Sequence, residues 1–391
     1  MIENLDDLDE NQKETLKKFR EQVQSSLKDD QDDYFLLKWL QATDFDAEKA
    51  DDMFRQSLWV RKKLDLDSVL TPSYKPPEVL MKYDPGGFYG YDKEGSPIFV
   101  DPLGQIDFKG LLHSVKKDDV LRFKGYHAEK GLQLAKEKAK ETGKRVHQVV
   151  NILDMEGLGL KHLWGPGVAL FNSVATLYEN NFPGYWKRIF VIKAPLIFPA
   201  AYNLVKPFLS EDTKNKIKIL GDDWKEQLKK YIDEDNLPEF YGGKGCDDND
   251  PKCSSEICYG GTIPESYYLA KTPFGKSEGS ILATVDRGKH LDVEQVVETP
   301  GSIISWEFRT KEHDIGFGIY LSAATLEEKE EMEELLPIQR VNSQFVPELG
   351  SIKCECPGKY IVRFDNSYSW VTKKVVEYRI DVNSTPSNSQ D

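Results

Sequence analysis

Near the start of the chain, apolar residues recur at helical spacing. Leu16, Phe19, Val23 and Leu27 fall three or four residues apart within Asn11–Leu27, which predicts an amphipathic helix. Tyr34–Leu40 (YFLLKWL) is apolar enough for a buried helix, and Ala50, Met53, Phe54 and Leu58 stripe a third over Ala47–Leu64. Thr71-Pro72 and Lys75-Pro76-Pro77 then break helicity. Over residues 85–245 the pattern changes. Strands are expected at Pro97–Val100, Val146–Leu153, Ile189–Ile192 and Ile217–Leu220, with helices over Asp118–Glu141 and Trp164–Glu179. Such alternation implies an α/β fold with parallel strand pairing. Cys246–Gly261, with its Asp247-Asp248-Asn249-Asp250-Pro251 run, reads as a linker. From residue 262 onward, short β-branched and aromatic runs (Ser302–Phe308, Gly316–Leu321, Gly358–Phe364) alternate with period two between turn residues, which predicts an antiparallel β-sandwich. Leu326–Leu336 (LEEKEEMEELL) reads as a solvated insertion between strands. The expected organisation is a helical segment 1–75, an α/β domain 76–245, a linker 246–261, a sandwich 262–383 and a disordered polar tail 384–391.

One segment departs from ordinary amphipathicity. Ala194–Leu209 follows a strand, carries Pro195, Pro199 and Pro207, and sets Ile197, Ala201, Leu204, Val205 and Phe208 on one stripe. Phe198, Tyr202 and Leu209 widen that stripe. A helix apolar nearly all round must be buried on most sides or must cover something apolar. Periodicity does not separate a core helix from a lid over a cavity hinged at Pro195 and Pro207.

Composition narrows the function classes. Of 391 residues, 39% are hydrophobic and 30% charged, too rich in core formers for disorder. A net charge of −14 argues against nucleic acid as partner and against permanent electrostatic docking on anionic membranes. No apolar run approaches the roughly 18–20 residues needed to span a bilayer, and the acidic first residues lack a signal-peptide core. The expected location is cytoplasmic, with peripheral and transient membrane contact. Five cysteines lack zinc-type spacing and read as free thiols. His113, His127, His147 and His162 are scattered, and neither a nucleophile elbow nor a phosphate loop is present. Asp154 and Glu156 end a strand and look like an acid/base pair, but have no His, Lys or metal partner at suggestive spacing. An enzyme is therefore not expected, and no cofactor or metal is called for.

Four motifs resemble the CRAL-TRIO lipid-transfer family: Leu36–Ala42 with Phe45-Asp46; Asp154–Gly159; Lys193-Ala194-Pro195 through Leu209; and Leu237–Gly243 (LPEFYGG). Gly157–Trp164 and Ala201–Thr213 are similar to its supernatant protein factor or tocopherol-associated branch. Gly316–Ile319 and Arg363–Ser369 look like that branch's GOLD β-sandwich. The resemblance spans residues 8–382. It implies a lipid-binding bowl with a gate helix, holding one tocopherol-, squalene- or phospholipid-like molecule. It also implies a lipid-binding wall of Ile106, Phe108, Leu111, Leu112, Leu121, Leu153, Met155, His162, Phe171, Val174, Phe198, Tyr202, Val205 and Phe208. The gate residues would be Leu196, Ile197, Phe198 and Leu204, with Thr213 and Lys216 as headgroup contacts. Thr43, Asp44 and Gly184 depart from the pattern of the phosphatidylinositol-handling members, which favours a neutral ligand, since a charged headgroup buried without partners is costly. The alternative is a lipid-regulated adaptor whose GOLD domain binds membrane-trafficking proteins.

Overall fold

A computed structural model describes residues 4–269, 273–322 and 332–383. It forms two compact units, Met1–Leu111 with Asp118–Ile263, and Leu112–Lys117 with Pro264–Asp391.

The first unit opens with helices Glu10–Val23, Asp33–Ala42 and Ala47–Lys63, close to the expected spans. Each starts on an aspartate whose carboxylate accepts backbone N–H bonds: Asp9 from Gln12, Asp32 from Phe35, and Asp46 from Glu48 and Lys49. Such caps stabilise a helix by about 1 kcal/mol each. Leu16, Phe19, Leu36, Leu40 and Phe54 interlock beneath them, with Trp39 edge-on to Phe54 at 5.2 Å.

A mixed sheet follows in the spatial order β1 (Gly87–Tyr91), β2 (Pro97–Asp101), β3 (Val149–Asp154), β4 (Trp186–Ile192) and β5 (Ile217–Ile219). The β1–β2 pair is antiparallel and β2 to β5 run parallel. The β1 strand went unpredicted, and β3 begins later than the expected Val146. The β2–β3 crossover contains the long helix Lys117–Thr142, the β3–β4 crossover the helix Gly165–Asn181, and the β4–β5 crossover the short helices Phe198–Val205 and Glu211–Lys216. On one face of the sheet Ile98, Val100, Val150, Ile152, Phe190 and Ile192 pack against Leu228, Ile232, Leu237, Tyr241 and Ile257. Ile257 corrects the linker expected at 246–261. That stretch folds onto the sheet unit, with Ile257 and Cys253 buried and Cys258 bridged to Gly86. Its acidic composition hid two apolar anchors.

The second unit is an antiparallel sandwich. Its strands are β6 (Ile281–Val285), β7 (His290–Val297), β8 (Ile303–Thr310), β9 (Ile315–Ser322), β10 (Met332–Val341), β11 (Glu348–Lys353), β12 (Gly358–Asp365) and β13 (Lys374–Asn383). One sheet has the order β10-β9-β12-β7 and the other β11-β8-β13-β6. Phe308, Phe317, Phe364 and Tyr378 meet between them. The acidic segment Leu326–Leu336 is only partly a connection: Met332–Leu336 open β10, where Leu335 and Leu336 pack on the core. Its earlier residues, 326–331, and the tail 384–391 lie outside the described residues.

A buried ion pair ties the sandwich to the segment before β6. Arg309 Nε donates to Glu377 at 2.8 Å, and Gly275 N, Ser277 N and Ser280 Oγ donate to the same carboxylate at 2.8 to 2.9 Å. Burial opposes the charge on Glu377, but these donors outweigh it and bring the carboxyl down to about 2. A depressed folded-state pKa supplies stability that is complete above the ordinary value, 4.5, and is lost as pH falls toward 2. Thermal melts of the wild type between pH 5 and 2 should therefore fall more steeply than those of Glu377→Gln. Parallel slopes would reject this role.

Candidate functional site

Because strand side chains alternate, the residues between those of the packed face point the opposite way. Phe99 and Asp101 of β2, Asn151 and Leu153 of β3, Ile189 and Val191 of β4, and Ile217 of β5 line a cavity of about 200 Å³. The register sets them in rows: Phe99, Asn151, Ile189 and Ile217 in one, Asp101, Leu153 and Val191 in the next. Helix Gly165–Asn181 supplies a side wall through one face, Val168, Phe171, Val174, Ala175 and Tyr178. Leu103, Ile106, Phe108 and Leu111 follow β2 around the rim, and Met155, Leu158, His162 and Leu163 follow β3. A Cβ at Gly167 would sit 2.8 Å from Phe108 Cβ, so the absent side chain is what admits the large ring at position 108. Burial lowers the His162 pKa, leaving a neutral ring edge-on to Phe108 at 6.3 Å.

The fourth side is the short helix Phe198–Val205. Phe198, Ala201, Tyr202 and Val205 face the cavity, joined by Leu209 beyond the turn Lys206–Phe208. The opposite face is also apolar but open: Leu196 is fully exposed, and Leu204 and Phe208 are 44% and 46% exposed. The inward stripe is thus 198-201-202-205-209 instead of the expected 197-201-204-205-208.

Of the expected wall, Ile106, Phe108, Leu111, Leu153, Met155, His162, Phe171, Val174, Phe198, Tyr202 and Val205 line the cavity, as does Thr213. Four expectations are corrected. Leu112 belongs to the second unit. Leu121 turns to the cluster of Leu64, Leu66 and Val69. Phe208 lies outside, because Pro207 tightens the chain into a 3-10 turn. Lys216 pairs with Asp212 at 2.6 Å and is absent from the cavity wall. Of the gate set, Leu196 and Leu204 are exposed, Ile197 is half-buried and Phe198 is buried.

The segment leading into this helix hangs on one carboxylate. Asp154, at the end of β3, accepts from Lys193 Nζ at 3.0 Å and from the Tyr241 hydroxyl at 3.2 Å, while its Oδ1 accepts the Glu156 N–H at 3.0 Å. Glu156 takes a second bond from Lys193 at 2.7 Å, and the ammonium lies 4.2 Å from the centre of the Phe240 ring. Lys193 itself has φ +51°, a left-handed conformation uncommon outside glycine. Asp154 and Glu156 therefore form a joint between β3, the gate segment and the Leu237–Gly243 motif. Their lysine partner lies 39 residues downstream of Asp154, so adjacent spacing could not reveal it.

A family model described as "CRAL/TRIO domain" matches residues 81–243. "Protein ctg-1" of Caenorhabditis elegans is 32% identical over 358 residues, 90% of this chain and 92% of that protein. The chain belongs to the CRAL/TRIO family. "CRAL-TRIO domain-containing protein T23G5.2" of the same organism is 32% identical over 308 residues, and "Protein real-time" of Aedes aegypti 33% over 306. The chain spans less than half the length of these two relatives, 42% and 46%. Among solved structures, that of Sfh5 is similar in fold, with a TM-score of 0.51 at 16% identity over 64% of this chain and 91% of that one.

The CRAL/TRIO domain is a lipid-binding domain, and every residue lining the cavity lies within its matched span. The same unit holds a basic group that the sequence did not reveal. Burial pulls the Lys38 pKa down to about 8, helped by Arg145 and Lys216, and pulls His147 down to about 3. Lys38 donates to the His147 carbonyl at 3.2 Å. The departures at 43, 44 and 184 have local reasons. The Thr43 hydroxyl bonds the Trp39, Leu40 and Asp46 carbonyls, and Asp44 and Gly184 both sit at positive φ.

If Asp154 is the joint of this CRAL/TRIO domain, Asp154→Ala should lower unfolding free energy by about 2–4 kcal/mol, and Tyr241→Phe by about 1 kcal/mol. Urea midpoints read both. Equal, small effects would show that the contacts are incidental.

Proposed function

We propose that this protein is a non-enzymatic carrier that takes one hydrophobic lipid into the cavity, exchanging it with membranes when the helix Phe198–Val205 swings out. The observation that carries the reading is the combination of an apolar cavity wall with a covering helix apolar on both its inner and outer faces. A buried CH2 is worth about 0.8 kcal/mol, so a ligand with roughly fifteen buried carbons gains on the order of 12 kcal/mol before ordering costs. A bilayer offers nearly the same gain. The carrier therefore needs a low barrier more than a deep well. Leu196, Leu204 and Phe208, already outside, suit shallow insertion at a membrane interface. No described helix is long and apolar enough to cross a membrane, so the contact proposed is peripheral and transient, from a cytoplasmic pool.

The ligand proposed is neutral. Lys216 is paired with Asp212, and among the residues expected to meet a headgroup Thr213 alone is on the cavity wall. Tocopherol-, squalene- and other isoprenoid-like molecules fit this chemistry better than an inositol lipid. Native mass spectrometry of protein purified from an expressing cell should find one neutral lipid per chain. Stoichiometric phosphatidylinositol would overturn the ligand class, and a protein still empty after incubation with liposomes would overturn the carrier. The double variant Leu196→Asp/Leu204→Asp should slow vesicle-to-vesicle transfer by about tenfold or more, two apolar insertions being lost. Ligand affinity in solution should stay within about twofold.

A second reading, a lipid-regulated adaptor acting through the GOLD-like sandwich, is favoured by one loop. Trp370 and Val371 stand 89% and 81% exposed, on a loop pinned by Asn366 Nδ2 bonds to the Val285, Asp286 and Thr372 carbonyls. Under it, Trp370→Ser should abolish recruitment to membranes in cells while leaving transfer between protein-free vesicles intact.

A further inference from the structure

One group on the cavity wall is left unmatched by a purely apolar cargo. Asp84, Asp101, Lys124 and Asn151 all line the cavity. Lys124 Nζ stands 2.5 Å from Asp84 Oδ2, and the Lys124 carbonyl accepts from the Tyr178 hydroxyl at 3.2 Å. Burial alone would discharge Lys124, but Asp84 and Asp101 hold its proton. One ammonium thus serves two carboxyls, and Asp84 takes the close contact. Asp101 Oδ1 and Asn151 Oδ1 are buried without a hydrogen-bond partner among the described residues. They stand on the same face of neighbouring strands, one register row apart, Asp101 opposite Leu153 and Asn151 opposite Phe99. Asp101 keeps some accessible surface, yet burial raises its carboxyl to about 7 against the pull of Lys124. Both follow from a side chain that faces an internal space and not bulk water.

We infer that Asp101 and Asn151, backed by the Lys124–Asp84 pair, form a polar anchor that selects hydrophobic lipids bearing a hydroxyl group. The inference rests on the carrier reading and adds a chemical class to it. The unmatched atoms are acceptors, so they call for a donor. A hydrocarbon brings none, and an ether, ketone or ester brings only acceptors, which can meet Asp101 when it is protonated but never Asn151 Oδ1. An amine would donate, but it would set a second buried cation beside Lys124. A hydroxyl donates to Asp101 whether that carboxyl is protonated or not, and can accept from it when it is. A buried polar group left unpaired is costly, which is how sites that bond a hydroxyl reject analogues lacking it. The chain's own sequence hinted at none of this: Asp84, Asp101 and Asn151 lie on separate segments and converge only in the fold.

The test uses the full chain, emptied of cargo, and four probes of matched length: the isoprenoid alcohol phytol, its methyl ether, the parent hydrocarbon phytane and phytanylamine. Binding is read by calorimetry. Phytol should bind at least about tenfold tighter than its ether. Asp101→Leu, checked for folding by its thermal melt, should collapse that ratio to near one and leave phytane affinity equal or better. Asp101→Asn, which keeps an acceptor, should retain most of the preference. The wild-type ratio alone decides the matter if the leucine variant does not fold. Equal binding of alcohol and ether, an unchanged ratio in Asp101→Leu, or amine binding tighter than alcohol would each overturn the anchor. Failure of all four probes to bind would overturn the carrier reading itself.

Discussion

Everything in the first unit depends on the two-residue period of a four-stranded parallel layer. Ile98, Val100, Val150, Ile152, Phe190 and Ile192 face a close-packed core. Their neighbours in the chain, from Phe99 to Val191, face a space that their own atoms do not fill. A slip of one residue in any strand would exchange the two sets, setting Asp101 or Asn151 against Leu228 and Tyr241. The packed face therefore fixes the register, and the register fixes the cavity. This is why a domain can hold an unfilled interior without collapsing: the stabilising apolar burial is concentrated on one side of the sheet.

The strand ends convert that register into a closure. Asp154 is placed by β3, Lys193 by β4 and Tyr241 by the segment packed beneath the sheet, and the three meet within 3.2 Å of the Asp154 carboxylate. The helix over the cavity begins a few residues beyond Lys193, so its starting point is set by the same rows that build the floor. Its own polar attachment is slight: Asn172 Nδ2 reaches the Leu204 carbonyl at a long 3.4 Å. The root is firm and the tip weak, so the helix is held mainly at its start.

The sequence made the helices and the alternation of the layers legible because long periodic runs survive packing, as in Asp33–Ala42 and Gly165–Asn181. The gate was legible as an unusual segment but not in its orientation. With apolar residues on every side, Ile197, Leu204 and Phe208 compete with Phe198, Tyr202 and Leu209 for the inward stripe, and contact with the wall decides. Leu121 shows the same ambiguity: an apolar residue on a helix with two packed faces. The β1 strand, Gly87–Tyr91, was hidden by its two glycines. Cys246–Gly261 was hidden by charge, since Cys253 and Ile257 are enough to dock a stretch whose average composition is that of a linker. Polar convergence was the least visible. Lys38 with Arg145 and Lys216, or Asp101 with Asn151 and Lys124, are separated by tens of residues and carry no motif.

Lys193 holds a left-handed backbone that a residue with a side chain adopts only at a cost of order 1–3 kcal/mol. The bonds to Asp154 and Glu156 and the Phe240 ring offset that cost. If those bonds part, the backbone is free to relax. If the helix swings out as proposed, the latch is in this sense cocked: part of the work of opening is stored in the backbone beforehand. In the proposed carrier, cargo would then be retained for a time set by the latch, separately from how tightly the cavity grips it, so residence and affinity would vary independently.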